Sequence, residues 1–235
     1  MLNSINFSAE EMSAIYLSLK IAFTASFVSL PFGIILGYTL ARKDFFLKSF
    51  ITSIINLPLV LPPVVTGYLL LITFGVNGII GSFFLKYFNF TFAFKWTGAA
   101  LACAIMGFPL MIRAIKVSVE MVDIKYEAAA RTLGANKLIV FFTITLPLSL
   151  PGIIAGFTLC FARALGEFGA TVTFVSNIPG ETQTLSSAIY NFLQIPNGEL
   201  MAMRLTLIAI FISVFALVLS EIIFDNILKY KRDKS

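Results

Sequence analysis

Glu127 and Arg131 stand four residues apart in the segment EAAARTLGAN (127–136), and Arg163 and Glu167 repeat that spacing in ARALGEFGA (162–170). On a helix, side chains four apart share a face and can form an ion pair. Charge pairing is therefore the chemistry these residues offer most directly. For Arg163 and Glu167 two readings stand. They are a mutually neutralising pair that fixes a helix end, or the arginine also attracts an anion. Covalent chemistry has little to work with. The chain has no histidine, the commonest general base and metal ligand. Cys103 and Cys160 fall inside apolar runs, where a small buried hydrophobe is expected. No Gly-x-x-x-x-Gly-Lys-Ser/Thr loop occurs, so no Walker-type nucleotide site is expected on this chain. No catalytic residue and no metal site are predicted.

The elements that must hold these charges are apolar. Hydrophobic residues make up 58% of the 235 residues and charged residues only 12%, whereas a soluble domain carries about a quarter charged residues. Five segments, near 15–41, 49–74, 97–118, 142–165 and 201–224, are long enough to cross about 30 Å of hydrocarbon as helices. No short alternating segments suggest a β-barrel. The fold class is thus an all-α integral membrane protein with about five transmembrane helices. Residues 1–14 hold Glu10 and Glu11 and no basic residue, unlike a secretory signal, so the first span is expected to be retained.

Orientation follows the basic residues. The stretches 42–48, 113–137 and 226–235 hold three, five and four Lys/Arg, twelve of the seventeen. These stretches are expected in the cytoplasm, with the N-terminus outside. The loop 166–200 contains Glu167, Glu181 and Glu199 but no Lys or Arg, and is expected outside. The net charge of +5 therefore reads as a topology signal, and no nucleic-acid partner is expected. The stretch 75–96, broken by Gly75, Gly78 and Gly81 and rich in aromatics, reads as an interfacial segment. Lys20 is expected to snorkel outward and Arg204 to anchor at an interface.

Two interruptions of the apolar pattern stand out. In the second span, Pro58, Pro62 and Pro63 each remove a backbone donor, and freed carbonyls in lipid need protein or water to cover them. Broken helices line paths in transporters, so Pro58, Pro62, Pro63, Thr66 and Gly67 are expected at a translocation path or gate. A kink serving packing alone is the alternative. Between the third and fourth spans, Asp123 can cap a short helix and Gly134 can end it in the left-handed conformation. Its apolar side, Tyr126, Ala129, Ala130 and Leu133, is narrow, and its small residues allow close approach of another protein. A solvated cytoplasmic turn is the plainer alternative. Pro147 and Pro151 are expected to set the entry angle of the fourth span.

This segment resembles the Glu-Ala-Ala signature of permease subunits of type I ABC importers: Glu-Ala-Ala, three residues, Gly, nine residues, Ile, one residue, Leu-Pro. Aligned on Gly134, Ile144, Leu146 and Pro147, the signature's alanines fall on Ala129 and Ala130. Its glutamate position falls on Ala128, with Glu127 one place early. NLPLVLPPVVTGYLLL (56–71), FPLMIRAIK (108–116) and ARALGEFGATVTFVSNIPGET (162–182) are similar to the molybdate branch of that family. The resemblance implies the type I ABC-importer permease fold over residues 12–224. An extracytoplasmic segment (1–11) would precede it and a basic cytoplasmic tail (225–235) would follow. It also implies a cytoplasmic coupling segment at about 120–147, in which Glu127, Ala128, Ala129, Ala130, Arg131, Gly134, Leu146 and Pro147 contact an ATPase. The implied partners are a second copy, two ABC ATPase subunits, an extracytoplasmic oxyanion-binding protein and the lipid bilayer of a bacterial inner membrane. The implied activity is import of an oxyanion, molybdate first, by alternating access, with ATP used by the partner and no cofactor on this chain. Sulfate or tungstate permeases of the same family are the alternative. From other classes, an intramembrane enzyme would need clustered acids or a nucleophile, and a non-transporting scaffold would not need the broken second span.

Overall fold

The computed structural model describes residues 7–232, with side chains through Ile223. The first six residues of the expected N-terminal segment, and the side chains of the basic tail, lie outside the described residues. All regular structure among the described residues is helical.

The first helix, α1 (Ala9–Arg42), opens with a capping box, in which Ser8 Oγ accepts from Glu11 N and Glu11 Oε2 from Ser8 N. Two orphan donors are thereby satisfied before the apolar run begins. The second apolar segment is two helices, α2 (Lys48–Val60) and α3 (Pro63–Phe74), bent by 112° at the break. Pro62 sits at the N-cap of α3 and Pro63 at its first turn, where a missing N–H costs nothing. A short helix α4 (Ile79–Phe88) follows. Ten residues give about 15 Å, too little to span the hydrocarbon. Its rings, Phe83, Phe84, Tyr87 and Phe88, cluster with Phe90, Phe92 and Phe74.

Helix α5 (Trp96–Glu120) is the centre of the bundle and packs most extensively on α1 and on α8 (Leu146–Leu165). Small residues let the backbones approach, as expected where lipid gives helices no hydrophobic reason to associate. A Cβ on Gly33 or Gly37 of α1 would come within 2.8 Å of Met111 or Ile115 of α5, and one on Gly107 within 2.6 Å of Cys160 of α8. Between α5 and α8 lie the short helices α6 (Ile124–Thr132) and α7 (Lys137–Val140) and one π turn, Phe141–Thr145. After α8 come α9 (Gly169–Val175), α10 (Leu185–Phe192) and the long α11 (Glu199–Arg232).

Among the described residues, four helices are long and apolar enough to cross a membrane, and five crossings result when the bent pair counts as one. The contacts at the two ends agree with five alternating passes. At one end Arg42 of α1 meets Val122 and Glu127 beyond α5. At the other, Ser18 of α1 meets Leu185, Glu10 meets Gln183, and Trp96 at the start of α5 meets Glu181. The bent pair starts beside the α6 end, where α2 packs on α5, and finishes at the opposite end, where Phe74 touches Phe92. Two of the expected single charges turn out to have protein partners. Arg204 pairs with the buried Glu11 at 3.0 Å, tying α11 to α1, and the Lys20 ammonium lies 3.7 Å from the Trp96 ring centroid. Arg204 therefore braces two helices where an interfacial anchor was expected.

Candidate functional site

The residues singled out by spacing fall into two clusters, one at the α6 end of the bundle and one at the break in the bent pair. The first is built on α6. Asp123 caps it by accepting from Lys125 N at 2.9 Å, and Gly134 ends it with φ +88°. Both local expectations hold. The orientation of the helix does not follow from its apolar side. Its buried residue is Glu127, while Tyr126, Ala129 and Leu133 are exposed, Leu133 by 89%. An acid is turned inward because three donors meet it there. Arg42 Nε and Nη2 both lie 3.0 Å from Glu127 Oε1, and Thr145 donates its hydroxyl to the same oxygen at 3.0 Å. Arg42 also donates to the Val122 carbonyl at 2.7 Å. The expected i,i+4 partner, Arg131, stands farther off at 3.9 Å from Oε2 and is half exposed.

Thr145 reaches Glu127 from the end of the π turn. Leu146 N donates to the Phe141 carbonyl, five residues back. The wider turn accommodates Pro147, which has no N–H and whose ring would press on the carbonyl four residues before it in a regular helix. The Thr-Leu-Pro sequence thus sets both the bulge and the hydroxyl that holds α6. Ala128 is exposed and Ala130 half-buried, so neither competes with Glu127 for the inward position.

The second cluster joins the end of α8 to the break in the bent pair. Arg163 Nη1 lies 2.7 Å from Glu167 Oε2, and Glu167 is buried. The other carboxylate oxygen accepts from Ala170 N at 2.8 Å, fixing the start of α9. Helix α9 then lies directly on α3. A Cβ on Gly67 would meet the Ala170 carbonyl oxygen at 2.6 Å, and one on Gly169 would meet Pro63 Cβ at 2.8 Å. Thr66, next to Gly67 on α3, is also buried. Pro63, Thr66, Gly67, Arg163 and Glu167 are therefore one connected piece. Pro58 is apart from them, on α2, none of whose residues is buried.

Cys103 and Cys160 are buried and unpaired, and Cys103 Sγ donates to the Ala164 carbonyl at 3.6 Å. Among the described residues no group of three His, Cys, Asp or Glu could hold a metal ion. The partner that spacing could not find is Arg42, which lies 85 residues from Glu127. Its position at the last turn of a long apolar helix marked it only as a topology charge.

Residues 29–230 match the family model described as binding-protein-dependent transport system inner membrane component. The chain is 57% identical over 211 residues to the molybdenum transport system permease protein ModB of Haemophilus influenzae, covering 90% of this chain and 92% of that one. Identity to the ModB of Escherichia coli K12 is 56% over the same share. The sulfate transport system permease protein CysT of Salmonella typhimurium is 36% identical over 183 residues, 78% of this chain and 66% of its own. Among solved structures, the MetNI methionine ABC transporter in inward-facing conformations superposes with a TM-score of 0.71 at 14% identity. The match covers 94% of this chain and 99% of that one, a likeness of fold. With six-sevenths of its length inside the family model, the chain belongs to the binding-protein-dependent transport system inner membrane component family.

Proposed function

We propose that this chain is the permease subunit of an ATP-driven importer that carries molybdate across a bacterial inner membrane by alternating access. Two copies would enclose the path, and two ABC ATPase subunits would dock at the α6 end, which faces the cytoplasm. A binding protein would deliver the oxyanion at the opposite end. The chain makes no covalent change and needs no cofactor of its own, since ATP is hydrolysed by the partner.

One observation carries the reading. Helix α6 is clamped to its own chain through Glu127 while its apolar residues Ile124, Tyr126 and Leu133 stay exposed. A helix only nine residues long is marginal alone in water. Held by a buried ion pair, it becomes a rigid peg whose apolar side is free for a groove on another protein. The choice of molybdate rests on the high identity to ModB proteins, and sulfate is the second reading on the lower identity to CysT. The test is uptake into proteoliposomes holding the permease, its ATPase and its binding protein. ATP-dependent accumulation of molybdate in preference to sulfate is expected. Failure to accumulate molybdate, tungstate or sulfate would sink the proposal.

A further inference from the structure

We propose that Arg113, Lys116 and Asn56 form a resting site for a tetrahedral oxyanion in the inner half of the path, an inference that rests on the importer reading above. A cavity of about 230 Å³ lies between α2 and α5, lined by Arg113, Lys116, Asn56 and Thr52 with apolar residues around them. That is room for several waters, enough for a four-oxygen anion and part of its hydration. Arg113 stands seven residues before the end of α5 at Glu120, about 10 Å inside the helix end. It is exposed and, among the described residues, makes no ion pair or hydrogen bond.

An arginine that lines a cavity at the inner end of a span, with no carboxylate to neutralise it, is placed to pair with an anion that enters there. The donor set suits an oxyanion. The guanidinium fork matches two oxygens of a tetrahedral anion. Lys116 adds a second positive charge, held loosely by Glu120 at 3.5 Å. Asn56 donates one amide hydrogen to the Thr52 carbonyl at 2.7 Å and keeps the other. Thr52 has already donated its hydroxyl to the Lys48 carbonyl, so it lines the site without contributing a donor. Helix α2 buries none of its residues within this chain, so the wall of the cavity faces outward, where a second copy would close it.

The experiment uses the complete complex in vesicles of phosphatidylethanolamine and phosphatidylglycerol, comparing wild type with Arg113→Gln, Arg113→Lys and Lys43→Gln. Arg113→Gln should lower ATP-driven molybdate uptake about tenfold or more, the scale of one hydrogen bond to a charged group, while the ATPase still co-purifies. Arg113→Lys should recover much of the loss, and Lys43→Gln, a cation outside the cavity, should behave as wild type. Equilibrium dialysis of molybdate with the permease–ATPase complex should show binding that Arg113→Gln loses. Unchanged uptake by Arg113→Gln overturns the site. So does a phospholipid seen by native mass spectrometry on wild type and lost from Arg113→Gln with uptake intact, since the cavity is then a headgroup seat. Should the wild-type complex import no molybdate, the importer reading falls first. The same dialysis with inorganic sulfate then decides this site alone.

Discussion

Burying Glu127 beside Arg42 commits both charges to each other, because a carboxylate out of water is tolerated only when paired and hydrogen-bonded. Arg42→Met should therefore strand Glu127 and cost about 3 kcal/mol, seen as earlier thermal aggregation of the solubilised protein. Replacing both, as Arg42→Met with Glu127→Leu, should regain most of that loss. A single variant as stable as wild type would show that the pair does not hold α6. At position 167 the carboxylate has a second task besides pairing with Arg163. Exchanging the two residues would also remove the acceptor for Ala170 N, so a loss of uptake would have two causes. Arg163→Gln with Glu167→Gln keeps an acceptor at position 167 and removes both charges. Because Arg163 is already neutralised at 2.7 Å, we expect this double variant to import at near the wild-type rate. A large fall in uptake would instead show that the guanidinium draws the anion. The i,i+4 spacing made both pairs legible, and at 163 and 167 it named the main partner. At 127 it named the lesser one, since the nearest donors, Arg42 and Thr145, are brought in by tertiary packing.

Elements show the same division between local and distant causes. The caps of α6 were legible because Asp123 and Gly134 act on their own neighbours. The break at Pro62–Pro63 was legible too, since proline removes a donor wherever it stands. Its angle of 112° was not, because it depends on α9, a seven-residue helix too short to announce itself by periodicity. Glycine at position 67 is what lets α3 and α9 touch, with the backbone of Ala170 2.6–2.9 Å from where a Cβ would be. Backbone cannot swing aside as a flexible side chain can. Gly67→Ala should push α3 off α9 and cost about 1–3 kcal/mol, as overpacking does. Thermal denaturation in detergent checks this, and an unshifted midpoint would mean the contact yields freely. Arg163→Lys, at the far side of the same corner, should shift the midpoint less, since a lysine can still reach Glu167.

For the whole molecule, the α6 cluster closes one end of five passes while the Arg163 cluster sits within them at the break in the bent pair, so sidedness decides what the α6 end can do. The proposed function needs the α6 end in the cytoplasm, as the distribution of basic residues suggests, and labelling tests this. A cysteine at Gln194, which is exposed, should react with an impermeant thiol reagent in intact cells, whereas one at Lys137 should not. Asn197 is a poorer choice because its φ is +61°. The natural Cys103 and Cys160 are buried and should stay silent, and equal labelling at both new positions would overturn the orientation. The proposed docking role of α6 is tested at Gly134 and Ala129. Gly134 takes φ +88°, and among the described residues, its two chain neighbours aside, nothing lies within 4 Å of the place a Cβ would occupy. Gly134→Val therefore meets no clash with other described residues. It costs about 1–2 kcal/mol of left-handed strain and adds bulk only toward whatever covers this end. Ala129 is exposed, so Ala129→Asp should leave the isolated chain folded and place an unpaired charge in any close contact made there. Both variants should reach the membrane in normal amounts. We expect each to weaken co-purification of the ATPase or to leave hydrolysis running without uptake, measured on the same reconstituted preparation. Gly134→Ala, with less bulk, should fall between Val and wild type. If Gly134→Val and Ala129→Asp both bind the ATPase and transport normally, α6 is a solvated turn, and force must enter this bundle elsewhere.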